Sequence, residues 1–296
     1  MHQPKILLLG KDGQIGFELR RTLLSLGEII SIGRRDLDLE NLDGLLTLLQ
    51  HHKPDIIVNA AAYTAVDAAE SHEVMAILIN AKVVEVLADY AQASGALLVQ
   101  YSTNYVFDGQ KESAYLETDT VNPQNVYGAS KRAGELAIIQ RRCKHLIFRT
   151  SCVFSVNGNN FIKSILQLAK EKTRLNVVVD QICTPSSAEL VADITALAIA
   201  GYRNHIIHDG IYHLTSTGQT SYYNLARYVI DKASDHGMVF ALDSNNIYPI
   251  TTDDYPLPAK RPKNSTLNVS ALSKALDLHI PAWNIYVDRV IAQLSK

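Results

Sequence analysis

A doubly wound α/β fold, a parallel sheet followed by a smaller C-terminal lobe, is predicted for this chain by three observations. Short, almost wholly apolar runs alternate with amphipathic stretches through the first half, and strands of that kind belong to parallel sheets covered on both faces. A glycine-rich turn, Gly10-Lys11-Asp12-Gly13-Gln14-Ile15-Gly16, follows the first apolar run directly and opens the first helix. The length, 296 residues at 47% apolar content, suffices to bury a large core in one or two units.

The elements follow in order. Strands are predicted at Lys5 to Leu9, Ile29 to Ile32, Ile56 to Val58, Leu97 to Tyr101 and Leu146 to Arg149, and helices at Gln14 to Leu26, Leu42 to Gln50, Val74 to Gln92 and from Tyr127 onward. Past residue 150 the alternation loosens into helices at Phe161 to Lys170, Ala188 to Ala200 and Tyr222 to Ala233, with brief strands at Val177 to Val179 and Tyr212 to Leu214. Pro249, Pro256, Pro258 and Pro262 predict a structured loop from Tyr248 to Asn264.

Composition excludes several classes of partner. Net charge of −2, with both signs mixed along the chain, leaves no basic footprint for nucleic acid. No run reaches the roughly 18 apolar residues of a membrane span, and no cleavable signal pattern precedes Ile6, so a cytoplasmic protein with small-molecule partners is expected. Cys143, Cys152 and Cys183 are too widely spaced for a zinc site and odd in number, which predicts reduced thiols. His51 and His52 precede Lys53-Pro54 and read as a solvated helix end.

The glycine turn asks for a dinucleotide. One small residue makes the turn, one lets backbone approach a pyrophosphate, and one lets helix and strand pack closely. At the end of the second strand, Gly33-Arg34-Arg35 stands where an acidic residue would receive an NAD ribose; guanidinium groups there favour NADP, while Asp36 and Asp38 leave NAD open. The third strand ends in Asn59-Ala60-Ala61-Ala62-Tyr63, whose small side chains would let a cofactor lie against bare backbone. The chain is accordingly expected to divide into a dinucleotide-binding unit, residues 1–150, and a mainly substrate-binding lobe, residues 151–296, with some segments returning to the first.

Tyr127 and Lys131 stand four residues apart on a predicted helix, where an ammonium can stabilise a phenolate and make the phenol a usable acid. Tyr228 and Lys232 share the spacing, but without a nucleotide loop or a hydroxyl-bearing strand end such as Tyr101-Ser102-Thr103, and read as an amphipathic helix.

Taken together, the turn at 10–16, Val58 to Ala62, Tyr101-Ser102-Thr103-Asn104-Tyr105-Val106-Phe107, Asn125-Val126-Tyr127-Gly128, His145 to Ser151, Gly158-Asn159-Asn160-Phe161, Asp180-Gln181 and Arg261-Pro262 with Asn264-Ser265 resemble, in order and over nearly the whole chain, the dTDP-4-dehydrorhamnose reductase family of the extended short-chain dehydrogenase/reductases. The resemblance implies a Rossmann-like unit and reduction of the C4 carbonyl of a dTDP-linked 4-keto-6-deoxy-L-sugar by NADPH, with NADH as an alternative. It implies Thr103, Tyr127 and Lys131 as the catalytic trio, with Lys131 lowering the pKa of Tyr127. It implies a cofactor site of Gly10, Asp12, Gly13, Gln14, Ile15, Arg34, Asp38, Leu39, Ala60, Ala61, Ala62, Tyr63, Tyr127 and Lys131. It implies Thr103, Asn104, Tyr105 and Cys152 on the substrate side, with Asn160, Lys163, Gln181 and Arg261 as candidates for the nucleotide sugar, since amides and a guanidinium suit base edges and diphosphate oxygens.

The chain departs from the family's pattern at Asn104, where an aspartate is usual, and at Cys152, where a tryptophan is usual; both bear on which sugar fits. Some family members are thought to dimerise through acids sharing Mg²⁺. Glu18 and Glu189 match two of those positions and Gln293 stands at the third, so monomer and homodimer both stay open. Open too are a reductase or epimerase of a related nucleotide sugar and a non-catalytic NADP-binding subunit. Asn104-Tyr105 in place of an acidic pair argues against a dehydratase.

Overall fold

The computed structural model describes residues 3–296. Six strands form one wholly parallel sheet: β1 (Lys5–Leu9), β2 (Glu28–Ile32), β3 (Ile56–Asn59), β4 (Leu97–Thr103), β5 (His145–Thr150) and β6 (Gly210–His213), in the spatial order β6-β5-β4-β3-β1-β2. Side chains alternate across a strand, and β1 shows the consequence. Ile6 and Leu8 enter one core with Leu19, Val191 and Ala198, whereas Leu7 and Leu9 enter the opposite core with Leu45, Leu49, Val84 and Leu87. Both faces are thus covered, as the uniformly apolar strands predict. The strand order reverses at β1, which has β2 on one side and β3 on the other, and the crevice beyond the carboxyl ends there is where open α/β sheets bind ligands.

Two segments from the second half complete this unit. β6 adds to the sheet edge beside β5, pairing Gly210 with Leu146, and the Ala188–Arg203 helix packs Leu190, Val191 and Ile194 against Leu19 and Leu23. The remaining C-terminal chain has its own core. Ile162, Ile165, Leu166 and Ala169 line one face of the Phe161–Glu171 helix and meet Leu225, Val229 and Ile230 of the Tyr222–Asp235 helix and Val287 and Ile291 of the Trp283–Leu294 helix.

Three features differ from expectation. Ile247–Ile250, expected within a loop, is a short strand parallel to Leu175–Val178; Pro249 fits because a two-stranded ribbon is all edge. The stretch expected as one helix from Val74 carries a π-helical turn, Leu78–Lys82, between Glu73–Ile77 and Val83–Ser94. Helices at Ser270–Leu276 and Trp283–Leu294 went unpredicted. Among the described residues no helix is long and apolar enough to cross a membrane.

Candidate active site

A cleft of about 860 Å³ opens at the carboxyl ends of the strands. Its walls take Gly10, Asp12, Gly13, Gln14 and Ile15 from the turn after β1, Arg34, Asp38 and Leu39 from beyond β2, and Ala60, Ala61, Ala62 and Tyr63 from beyond β3. The backbone dictates the glycine at the head of the turn: Gly10 has φ +82°, and a Cβ there would lie 2.6 Å from the Ala61 nitrogen. The helix that follows, Gln14–Thr22, has Gly13 at its N-cap and no side chain capping it, and Gly13, Gln14 and Ile15 of its start line the cleft.

Only one of the two arginines expected at the adenosine end lines the cleft. Arg34 does so, tethered by Asp38 at 3.6 Å and Glu40 at 3.3 Å, while Arg35 is exposed outside the lining. Lys11 is held away by Asp36 at 2.6 Å, whose carboxyl that lysine and the Gly33 amide keep below the usual range.

The far wall is built by β4 and the Val126–Arg141 helix. Asn125 caps that helix by accepting from the Gly128 amide at 2.7 Å. This places Tyr127 and Lys131 one turn apart facing the cleft, opposite Thr103, Asn104 and Tyr105 at the end of β4. Tyr105 meets Tyr127 edge to face, ring centroids 5.8 Å apart. The helix sits close to the π-helical turn, where a Cβ on Gly134 would fall on the Asn80 carbonyl. Asn80 in turn donates to Ser130 Oγ and Tyr63 O at 3.0 Å and accepts from the Tyr63 amide at 2.9 Å, tying the two cleft walls together.

Electrostatics here differ from the expectation that Lys131 lowers the pKa of Tyr127. Burial pushes the Tyr127 phenol up, and a hydrogen bond with Thr103 draws it partly back. Lys131 is itself pushed down to about 8 by burial, with the Glu135 carboxylate opposing. Desolvation therefore dominates both groups.

The expected substrate residues separate into two sets. Thr103, Asn104, Tyr105 and Cys152 line the cleft. Asn104 is nonetheless committed inward, its amide donating to Ser151 Oγ and to the Ser265 carbonyl at 3.2 Å each. Cys152 holds a left-handed backbone, φ 44°, beside Cys183 and Tyr222. Asn160, Lys163, Gln181 and Arg261 stand outside the lining. Asn160 caps the Phe161–Glu171 helix and donates to Gln14 Oε1 at 3.0 Å; Lys163 Nζ donates to the Val156 carbonyl at 3.0 Å; Gln181 donates to Thr252 Oγ1 at 3.1 Å. Arg261 pairs with Asp67 at 2.7 Å and lies over the Tyr105 ring, so it buttresses the wall from behind. Sequence reasoning missed Tyr222, Met75 and Ile79 as lining residues, none of which has a local motif to mark it.

With this geometry in place, the comparisons with known proteins are decisive. The family model of the RmlD substrate binding domain matches residues 4–296. The chain belongs to that family. A dTDP-4-dehydrorhamnose reductase of Escherichia coli (strain K12) is 45% identical over 293 residues, 98% of this chain and 97% of its own. Among solved structures of the RmlD type, a dTDP-4-dehydrorhamnose reductase of Clostridium acetobutylicum superposes with a TM-score of 0.90 at 33% identity, covering 99% of this chain and 100% of that one. Another from Bacillus anthracis, in complex with NADP, gives 0.88 at 31% identity, with 99% and 100% covered.

The acids that the RmlD resemblance offers to Mg²⁺ do not fit that ion here. Glu18 and Glu189 are neighbours, and burial together with Glu189 pushes the Glu18 carboxyl up. Glu189, however, is bound by Arg289 at 3.1 Å and accepts from the Gln293 amide at 3.4 Å, while Arg21 joins Glu18 at 3.9 Å to Asp193 at 2.9 Å. Two guanidinium groups already contact these acids, and among the described residues of one chain no group of three or more His, Cys, Asp or Glu could hold a metal ion.

Proposed function

We infer that this protein reduces the C4 carbonyl of dTDP-4-dehydro-L-rhamnose with NADPH, yielding dTDP-L-rhamnose for nucleotide-sugar and surface-polysaccharide synthesis. The observation that carries the reading is the convergence of Thr103, Tyr127 and Lys131 on one cleft with a glycine-turn cradle, in a chain 45% identical to a dTDP-4-dehydrorhamnose reductase over 98% of its length. The bare backbone at Gly10 and Ala61, the uncapped helix start and the Arg34 guanidinium fit a dinucleotide bearing a 2′-phosphate, and Asp38 beside Arg34 admits NADH as a second donor.

NADPH, when bound, supplies the hydride. Tyr127 gives its phenolic proton to the carbonyl oxygen as that oxygen gains electron density, and general acid catalysis of this kind is worth roughly 10²–10⁴-fold. Thr103 donates its one hydroxyl proton to Asn104 Oδ1 at 3.1 Å, and would turn it to the substrate's carbonyl oxygen when that oxygen enters the cleft. Lys131 would hold the nicotinamide ribose through its ammonium hydrogens and, by its charge, ease formation of the phenolate against the desolvation that raises the phenol. Cys152 and Tyr222 bound the sugar end and set which hexose is accepted. The reading places the enzyme in the cytoplasm, where its free thiols Cys143, Cys152 and Cys183 persist.

The test is to mix the purified protein with dTDP-4-dehydro-L-rhamnose and NADPH and to follow nicotinamide absorbance with Tyr127→Phe alongside. Oxidation by the wild type, loss of at least about a hundredfold in the variant, and dTDP-L-rhamnose as product are expected. Failure of the wild type to oxidise NADPH that it demonstrably binds would remove the assignment.

A further inference from the structure

We propose that Glu135 is a positioning residue for the reaction: it holds Lys131 in its cationic form and locks the helix carrying Tyr127 and Lys131 to the strand carrying Thr103. The proposal rests on the reductase reading above.

Tyr127, Lys131 and Glu135 follow at successive steps of four, one face of the Val126–Arg141 helix. Glu135 has no exposure at all, yet it is a carboxylate, and a buried charge persists only when paired and hydrogen-bonded. Its partners come from three elements. Ser102, the residue before Thr103 on β4, donates to Oε1 at 2.6 Å; Arg149 of β5 donates from Nε and Nη2 at 2.8 Å each; Arg132, one turn back on the helix, donates to Oε2 at 2.7 Å. Arg149 also lies 5.0 Å from the centre of the Phe107 ring, just beyond the loop that bears Asn104 and Tyr105. A single carboxylate therefore fixes the relative placement of the proton donor's helix and the hydroxyl that faces it.

Glu135 has a second reach. Among the described residues Lys131 makes no ion pair, and Glu135 is the anion that opposes its desolvation. The other charged and titratable groups around this cluster are accounted for. Arg132 and Arg149 are cations bound to Glu135; His213 of β6 is buried and held neutral; Glu117 lies beyond it, 4.0 Å from the imidazole; Tyr105 and Tyr127 are phenols driven up by burial. Removing the Glu135 charge would leave Lys131 facing cations and phenols only.

A purely structural ion cluster would behave differently, because replacing a buried pair by apolar groups is often neutral or stabilising. Three variants separate the cases: Glu135→Gln, the doubly neutral Glu135→Leu with Arg149→Met, and the conservative Glu135→Asp. Two readouts are taken on each folded variant. One is the Lys131 titration by heteronuclear NMR on isotope-labelled lysine, assigned with Lys131→Met and recorded without sugar. The other is the pH profile of turnover with NADPH and dTDP-4-dehydro-L-rhamnose. The proposal expects the Lys131 midpoint and the alkaline limb of turnover to fall together by about one unit, a tenfold loss on that limb, in Glu135→Gln, to fall less in the double variant, from which the Arg149 cation is gone as well, and to recover in Glu135→Asp. An unchanged Lys131 midpoint in folded Glu135→Gln would overturn it. If the wild type shows no turnover, the reductase reading fails by itself, while the NMR titration still decides the coupling of Lys131 to Glu135.

Discussion

Lys131 is a cation held where a neutral side chain would be more stable. The residue is 4% exposed, and its pKa falls from 10.5 to about 8. Each unit is about 1.4 kcal/mol, so keeping it charged costs the fold about 3 kcal/mol. The unfolded chain holds this proton up to about pH 10.4 and the folded one only to about pH 8, so the penalty is full below the lower value and disappears above the higher. Lys131→Met is expected to melt higher than wild type at neutral pH while losing turnover, with the stability gap closing as pH rises through that window; denaturant titrations at neutral and alkaline pH check it. His213 has the complementary signature at acid pH. Burial, then the nearby Arg149, push its pKa from 6.5 down to about 3. Below its unfolded value the unfolded chain binds a proton that the folded chain refuses, so stability falls with falling pH by about 1.4 kcal/mol per unit. His213→Phe should flatten the slope between about pH 6 and pH 5 in chemical unfolding. For Arg34, tethered to Asp38 and Glu40 at the cleft edge, replacement by Ala is expected to lower the preference for NADPH over NADH about tenfold, the worth of one charge-assisted contact; the ratio of kcat/KM for the two cofactors reads it.

The Val126–Arg141 helix shows how much of an element can be legible while its purpose is not. Its start is marked by Asn125, and the Tyr127/Lys131 spacing places both on one face. Its buried side, though, is Gly128, Ser130, Lys131, Gly134 and Glu135, with Ala137 and Ile138 as its only buried apolar side chains, because much of it packs against backbone and against an ion cluster supplied by β4 and β5. Those partners are 14 and 33 residues away along the chain, a distance at which no local pattern speaks. Gly134→Ala would drive a methyl into the Asn80 carbonyl. We expect about 1–3 kcal/mol of destabilisation and a lower kcat, as the helix moves Tyr127 away from Thr103; thermal melts with steady-state kinetics would show both. The strands of the sheet were readable because most carry an unbroken run of three or more apolar residues. The Ser270–Leu276 and Trp283–Leu294 helices were not, since Val269 and Ala282 at their N-caps offer no capping side chain and Asn268 takes the Ser270 amide from one position earlier. Asn160, Lys163 and Gln181 have the right chemistry for a sugar nucleotide, but their donors are bound to Gln14, Val156 and Thr252. Side-chain type gives no sign of such prior engagement.

At the scale of the molecule, the cleft borrows its walls from both halves of the chain, Gly10 to Tyr127 from one and Cys152, Gly158, Asn159 and Tyr222 from the other. A ligand that bridges them stabilises the whole: NADPH at a hundredfold excess over its Kd is expected to raise unfolding free energy by about 2.7 kcal/mol, visible as a single shifted melting transition. Two separated transitions, with only one responding, would mean that the two cores unfold independently.

The sheet closes only when β6 pairs with β5 and when the Ala188–Arg203 helix covers Leu19 and Leu23. A ribosome delivers the chain from one end, so the first five strands emerge well before their last neighbour and before the cover for one face. Until residue 213 clears the exit tunnel, β5 offers an open backbone edge and the first helix an unroofed apolar side, the features that invite misassociation of nascent chains. Synthesis of this enzyme thus includes an interval in which its nucleotide-binding half is present in sequence but unfinished in structure, and a fragment ending at residue 150 would remain permanently in that interval.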